Sequence, residues 1–208
     1  MSQGSSHPWP KAFSNVGDAN VDLDWMRFVG LDMYYVDGYK TAADRLVDAV
    51  ATDPHLVFPI GYMYRQYLEV HLKYILSNMR SLNVMTLADR DVHGHHLDKL
   101  WAKTRACIEK KWQTGRDPDL DGVETVILDF HNTDPTGQEL RYARTTSGDQ
   151  SLEKLPSSVS LGGLRDTLSK VYEVLNSCSQ ALDGEIMAMQ NDKYNEAMDK
   201  LEAEQTEE

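Results

Sequence analysis

Arg65, Glu69, His71 and Lys73 place four ionisable side chains within nine residues, in the run Tyr64-Arg65-Gln66-Tyr67-Leu68-Glu69-Val70-His71-Leu72-Lys73. Some twenty residues on, His95 and His96 precede Leu97-Asp98-Lys99-Leu100-Trp101. An arginine can grip a phosphate with two bonds at any pH. An imidazole whose pKa is tuned toward neutrality can move a proton. Together they are the parts of phosphodiester chemistry.

The same residues have a plainer reading. Arg65 and His71 are six apart, about 120° around a helix, so they are neighbours without sharing a face. His71 falls on the apolar side between Leu68 and Leu72, where a histidine also serves as a core residue held by a hydrogen bond. Arg65 and Lys73 each lie four residues from Glu69, the spacing of helical ion pairs. His96, packed on the helix that carries Arg65, is a further candidate for a polar site. His71, His93, His95 and His96 raise the question of zinc, but His-x-His-His in a loop lacks the second half of a ligand pattern. No metal and no cofactor are expected. Arg141 and Arg144 flank Tyr142, a grouping that can bind a phosphodiester and stack a base; it also suits a loop whose arginines bond to helix carbonyls. Phosphate-loop, dinucleotide, zinc-protease and nucleophile-elbow motifs do not occur.

The elements that must position these residues read as helices. Residues Gly38 to Ala51 form a first helix, stopped by Asp53-Pro54. A second starts near Pro59 and keeps Ile60, Met63, Tyr64, Tyr67, Leu68, Leu72, Ile75, Leu76 and Met79 at i, i+3, i+4 and i+7 for five turns. A third runs from His96 to Trp112. A fourth opens on Asp121 and Glu124, read as a capping box. Asp134-Pro135-Thr136-Gly137 is a turn, Leu140 to Arg144 reads as extended, and the last helix covers Ser160 to Gln190. Its apolar residues, from Leu161 through Leu175 to Met189, step close to a heptad seam. The expected class is all-α, a bundle of about five helices with a long C-terminal one.

At 208 residues, with 41% hydrophobic and 26% charged residues, one soluble domain is expected over 21–190. It is preceded by a disordered Ser/Gly/Pro-rich segment, 1–20, and followed by an acidic tail, 191–208. Val21 to Tyr35 reads as a short segment packed on the domain. No apolar run is long enough for a bilayer, and no secretory signal is visible. Two cysteines, Cys107 and Cys178, read as buried thiols, so a cytoplasmic protein is expected. The net charge of −12 argues against coating nucleic acid non-specifically, without excluding a local basic cleft.

Over about residues 40 to 182 the chain resembles the HEPN superfamily of small α-helical bundles found in prokaryotic toxin and defence systems. The resemblance rests on Arg65, Glu69, Leu72 and Lys73 in one helix, on His95 or His96 with Leu97 and Leu100, and on Arg141-Tyr142 after a later helix. It implies one of two functions. One is a metal-independent endoribonuclease with Arg65, His71 and His96 as catalytic residues: a histidine takes the proton of a ribose 2'-OH, arginine stabilises the phosphorane, and a cyclic phosphate is left. The other is a non-catalytic module that binds a nucleotide, an RNA end or a protein partner. Glu69, Lys73, His95, Arg141, Tyr142 and Arg144 are then substrate-binding, and the family's habit of building sites across dimers implies a homodimer. A pure interaction bundle with structural histidines is the alternative outside the family.

Overall fold

The structure, a computed structural model, describes residues 21–24, 31–50, 53–88, 94–145, 147–151 and 155–206. The chain divides into two compact units, Met1–Leu31 and Asp32–Glu208. Of the first, the described side chains Val21, Leu23 and Leu31 are exposed. The segment around Trp25 and Phe28, residues 1–20 and His93 lie outside the described residues.

The second unit is all-helical: α1 (Asp32–Ala49), α2 (Val57–Ser81), α3 (Leu97–Trp112), α4 (Pro118–Thr133) and α5 (Leu161–Thr206), with a 3-10 turn at Pro54–Leu56 ahead of α2. Among the described residues the only β pairing is an isolated antiparallel bridge, Arg144 to Gln150. No described helix is long and apolar enough to cross a membrane.

Helix α2 is the centre of the bundle and packs on α1, α3 and α5. A surface helix buries a single stripe, whereas a central one is enclosed almost all round. Accordingly Arg65, Glu69 and His71 are buried along with Tyr64, Tyr67, Leu68, Leu72, Ile75, Leu76 and Met79. Glu69, which the helical pattern puts on the polar side, is therefore inside.

Three local expectations are corrected. Helix α4 is capped by Asp117, whose Oδ1 accepts from the N–H of Asp119 and of Leu120 at 2.9 and 3.4 Å, with Pro118 in the first turn. Asp121 and Glu124 instead hold Arg105 of α3, and Trp101 Nε1 donates to Glu124 as well. Leu140 and Arg141, expected to be extended, lie in a turn over 139–141, with the N–H groups of Arg141 and Tyr142 both donating to Gln138 O. Helix α5 continues past Gln190 through the acidic stretch to Thr206, and its side chains from Asn191 to Leu201 are exposed. The heptad-like seam divides accordingly. Leu168, Val171, Leu175 and Leu182 are spent on the core of this one chain.

Two glycines allow close packing against α2. A Cβ on Gly61 would lie 2.9 Å from Leu140 Cδ2, so the loop after α4 rests directly on the α2 backbone. Gly137, at φ +78°, turns the chain over the Arg65 guanidinium, and a Cβ there would sit 3.3 Å from Arg65 Cζ.

Candidate functional site

Arg65 is 1% exposed and its guanidinium is used on every side. Nη1 donates to Glu69 Oε2 at 2.7 Å and Nη2 to His95 O at 2.6 Å. Nε donates to Asp134 O at 3.4 Å and stands 3.6 Å from Asp134 Oδ2. Glu69 Oε1 accepts from Lys73 Nζ at 2.7 Å and from His95 Nδ1 at 2.8 Å. Burial pushes the Glu69 carboxyl up, but the bonds from Lys73, Arg65 and His95 outweigh it and hold the group below the usual carboxylate range. The ionised carboxylate only accepts, so His95 carries its proton on Nδ1.

Asp134 is fully buried. Its Oδ1 accepts from Glu139 N–H at 3.2 Å, while Oδ2 has no hydrogen-bond partner among the described residues. Burial, helped by the neighbouring Glu139 carboxyl, lifts Asp134 to about 6 against the pull of Arg65. The network thus welds α2 to the loop before α3 and to the turn after α4. Arg65, Glu69, Lys73 and His95 are brought together as a clamp, and only Lys73 and the His95 ring, 70% exposed, reach its rim.

His71 lies elsewhere. It faces α5, is 0% exposed, and both ring nitrogens are engaged: Nε2 with Ser179 Oγ at 3.0 Å and Nδ1 with Tyr67 Oη at 3.3 Å. Hydroxyls donate or accept, so either tautomer is satisfied. Tyr67 and Tyr172 pack on the ring at centroid distances of 5.6 and 6.2 Å. Burial drives its pKa down to about 3. A ring so enclosed reaches no ribose hydroxyl, and it shares no groove with Arg65.

The two adjacent histidines part company. His95 turns to Glu69 on α2, whereas His96 is the N-cap residue of α3, makes no side-chain cap bond, and sets its ring edge-on to His131 of α4 at 6.3 Å. The expectation that His96 packs on the helix of Arg65 is therefore corrected: that position belongs to His95.

Arg141, Tyr142 and Arg144 are all exposed. Arg144 Nη1 donates to Gly148 O at 3.0 Å, closing a small ring with the Arg144–Gln150 bridge. Arg141 is held at its neck by Nε donating to Gly137 O at 2.6 Å, and its guanidinium stacks on Tyr62 and Tyr142 at 5.6 and 5.5 Å. Beside it a cavity of about 290 Å³ is lined by Phe58, Glu139, Arg141, Tyr142, Gln150 and Ser151, so a carboxylate stands at the cavity as well as the guanidinium. Ser151 is 8% exposed, and its hydroxyl has no partner among the described residues. Tyr62, Phe58 and Ser151 carry no signal in the sequence, because helix start and loop meet here only in three dimensions.

No protein-family model, curated protein or solved structure matches this chain.

Proposed function

We propose that this chain is a HEPN-like binding module that takes a base bearing a phosphate, as a nucleotide or the end of a single-stranded RNA, at the Arg141–Tyr142 face and does not cleave it. The observation that carries this reading is the cavity beside Arg141. There the guanidinium of Arg141, bonded through Nε, lies over two aromatic rings of the kind that can stack a base, and among the described residues no hydrogen bond is formed by its Nη groups. The buried Ser151 hydroxyl, without a partner among the described residues, supplies a polar group for the same ligand. Against cleavage stand the enclosure of His71 and the full engagement of Arg65, the pair that would have to act on a ribose phosphate. By its resemblance such a module would work inside a prokaryotic cell, in a defence or stress system.

Fluorescence anisotropy with a labelled 5'-phosphorylated oligoribonucleotide, competed by a mononucleotide, tests this. Arg141→Ala and Tyr142→Ala are each expected to weaken binding by roughly 5- to 100-fold, as loss of one stacked base or charged contact does. Competition by the mononucleotide identifies the smaller ligand. Absence of binding to either probe, or binding indifferent to both substitutions, would overturn the proposal. So would chelator-resistant RNA cleavage abolished by His71→Ala.

A second reading, self-association, is favoured by the free end of α5. Met187, Tyr194 and Leu201 are 64, 65 and 51% exposed and fall seven apart, with Asn191 and Met198 between them. This is an a/d seam with a polar a position, the arrangement that specifies a two-stranded coiled coil. The flanking positions Ala188, Gln190, Asn195 and Ala197 are uncharged, and Asp192, Lys193, Glu196, Asp199 and Lys200 all point away. From Met187 to Met198 the flanking positions of two copies bring no like charges together, despite the net charge of the chain. Sedimentation velocity is expected to show a concentration-dependent dimer that Tyr194→Lys/Leu201→Glu converts to monomer; a wild-type monomer throughout would sink this reading.

A further inference from the structure

We propose that His96, Asp98 and His131 form a binding site for a divalent first-row transition metal ion, zinc being the best match. The three residues come from two elements. His96 and Asp98 occupy the N-cap and first turn of α3, and His131 lies in the last turn of α4. One ligand atom from each can be chosen so that all lie within 4.8 Å of one another.

Two observations point to a ligand beyond the clustering. Asp98 Oδ1 and His131 Nδ1 are both shielded from solvent, and neither has a hydrogen-bond partner among the described residues. They face each other at 3.5 Å. That separation is long for a hydrogen bond. It is the separation of two donors on one tetrahedral ion with bonds of about 2.0–2.2 Å, which puts ligand atoms about 3.3–3.6 Å apart. An ion between them satisfies both orphaned atoms at once. The His96 ring is exposed and edge-on to His131, and it offers the third ligand atom within the same 4.8 Å.

The donor set decides the class of ion. Two imidazoles and one carboxylate suit zinc, cobalt or nickel, and disfavour magnesium and calcium, which take oxygen ligands. Three protein ligands leave a fourth position for water, as in open rather than closed zinc sites. The site is independent of the Arg141 cavity, and neither proposal depends on the other. Its consequence for the fold is a tie between the start of α3 and the end of α4, in the region that positions the Arg65 clamp.

The test is titration of the full chain with Co²⁺ alone, read by ligand-field absorption, and with Zn²⁺ alone, read by thermal unfolding. One Co²⁺ per chain is expected, with bands displaced by Zn²⁺. A Tm rise of about 5–10 °C is expected at a hundredfold excess of zinc over its dissociation constant. His96→Ala, an exposed change that leaves the bundle core untouched, and the isosteric Asp98→Asn should each abolish the absorption, and His55→Ala should retain it. Circular dichroism of each variant separates lost binding from lost folding. Failure of wild type to bind, binding that survives both substitutions, or a Tm rise matched by Mg²⁺ would each overturn the assignment.

Discussion

Replacing Arg65 with methionine is expected to lower the unfolding free energy by about 3–5 kcal/mol, the cost of removing one partner from a buried ion pair. For a chain of this size the fall in Tm is roughly 6–20 °C. The substitution keeps the stem of the side chain and deletes a guanidinium that is 1% exposed. Glu69, with its side chain 5% exposed, then keeps only Lys73 and His95, and the fully buried Asp134 loses its neighbouring cation. The His95 carbonyl that anchors the loop before α3 is orphaned as well. Replacing both partners of a buried pair by apolar groups of similar volume is far less costly than breaking it. Arg65→Met/Glu69→Leu should therefore recover part of the loss, measured as a double-mutant cycle in urea. An arginine held out for a ligand would behave otherwise. A Tm within about 2 °C of wild type, less than 1 kcal/mol at this size, would mean that Arg65 does not clamp the loop before α3 and the turn after α4 to α2.

His71 is expected to make the protein acid-sensitive. Its folded pKa, about 3, lies below the unfolded value of 6.5, so between these pH values the unfolded chain binds a proton that the folded chain refuses. Stability from this residue is complete above pH 6.5 and falls by about 1.4 kcal/mol per pH unit as the pH drops, reaching about 4–5 kcal/mol near pH 3. Asp134 acts with the opposite sign. Its folded pKa, about 6, lies above the ordinary 3.8, so its contribution is present at low pH and is lost as the pH rises through 6. The two partly cancel in the wild type, which makes the difference between wild type and His71→Gln the proper measurement. Urea unfolding from pH 7 to 4 should show the wild type losing stability more steeply than the variant. Parallel curves, or an NMR titration of the His71 ring with a midpoint near 6.5, would contradict its burial. A histidine acting as a general base would titrate near neutrality.

These two residues show how far a linear pattern reaches. Helical spacing placed His71 on an apolar face one turn from Tyr67 and Arg65 one turn from Glu69, and both of those contacts follow from the geometry of a single helix, whereas the bond from His71 to Ser179 does not. It could not tell that α2 is central. The turn of helix carrying Arg65 and Glu69 is polar in composition but is covered by the loop at His95 and by the turn at Asp134 and Gly137. Capping was misread for a related reason. Asp117-Pro118 and Asp121-Gly122-Val123-Glu124 both carry start signals, and only the position of Arg105 on α3 draws Asp121 and Glu124 away.

What the sequence by itself determined is the all-α class, the helix order and most of the core, because apolar residues at intervals of three and four are local facts that survive any packing. The spacing that resembles a ribonuclease motif is equally local, and for that reason it carried no information about what faces it. The tertiary structure decided which polar groups are enclosed and which are presented. It closed Arg65 and His71 into the interior, set Arg141 between Tyr62 and Tyr142 at an open cavity, and brought His131 to His96 and Asp98 across two helices. Burial and long-range pairing are properties of contacts between distant segments, and those contacts exist only once the helices have packed.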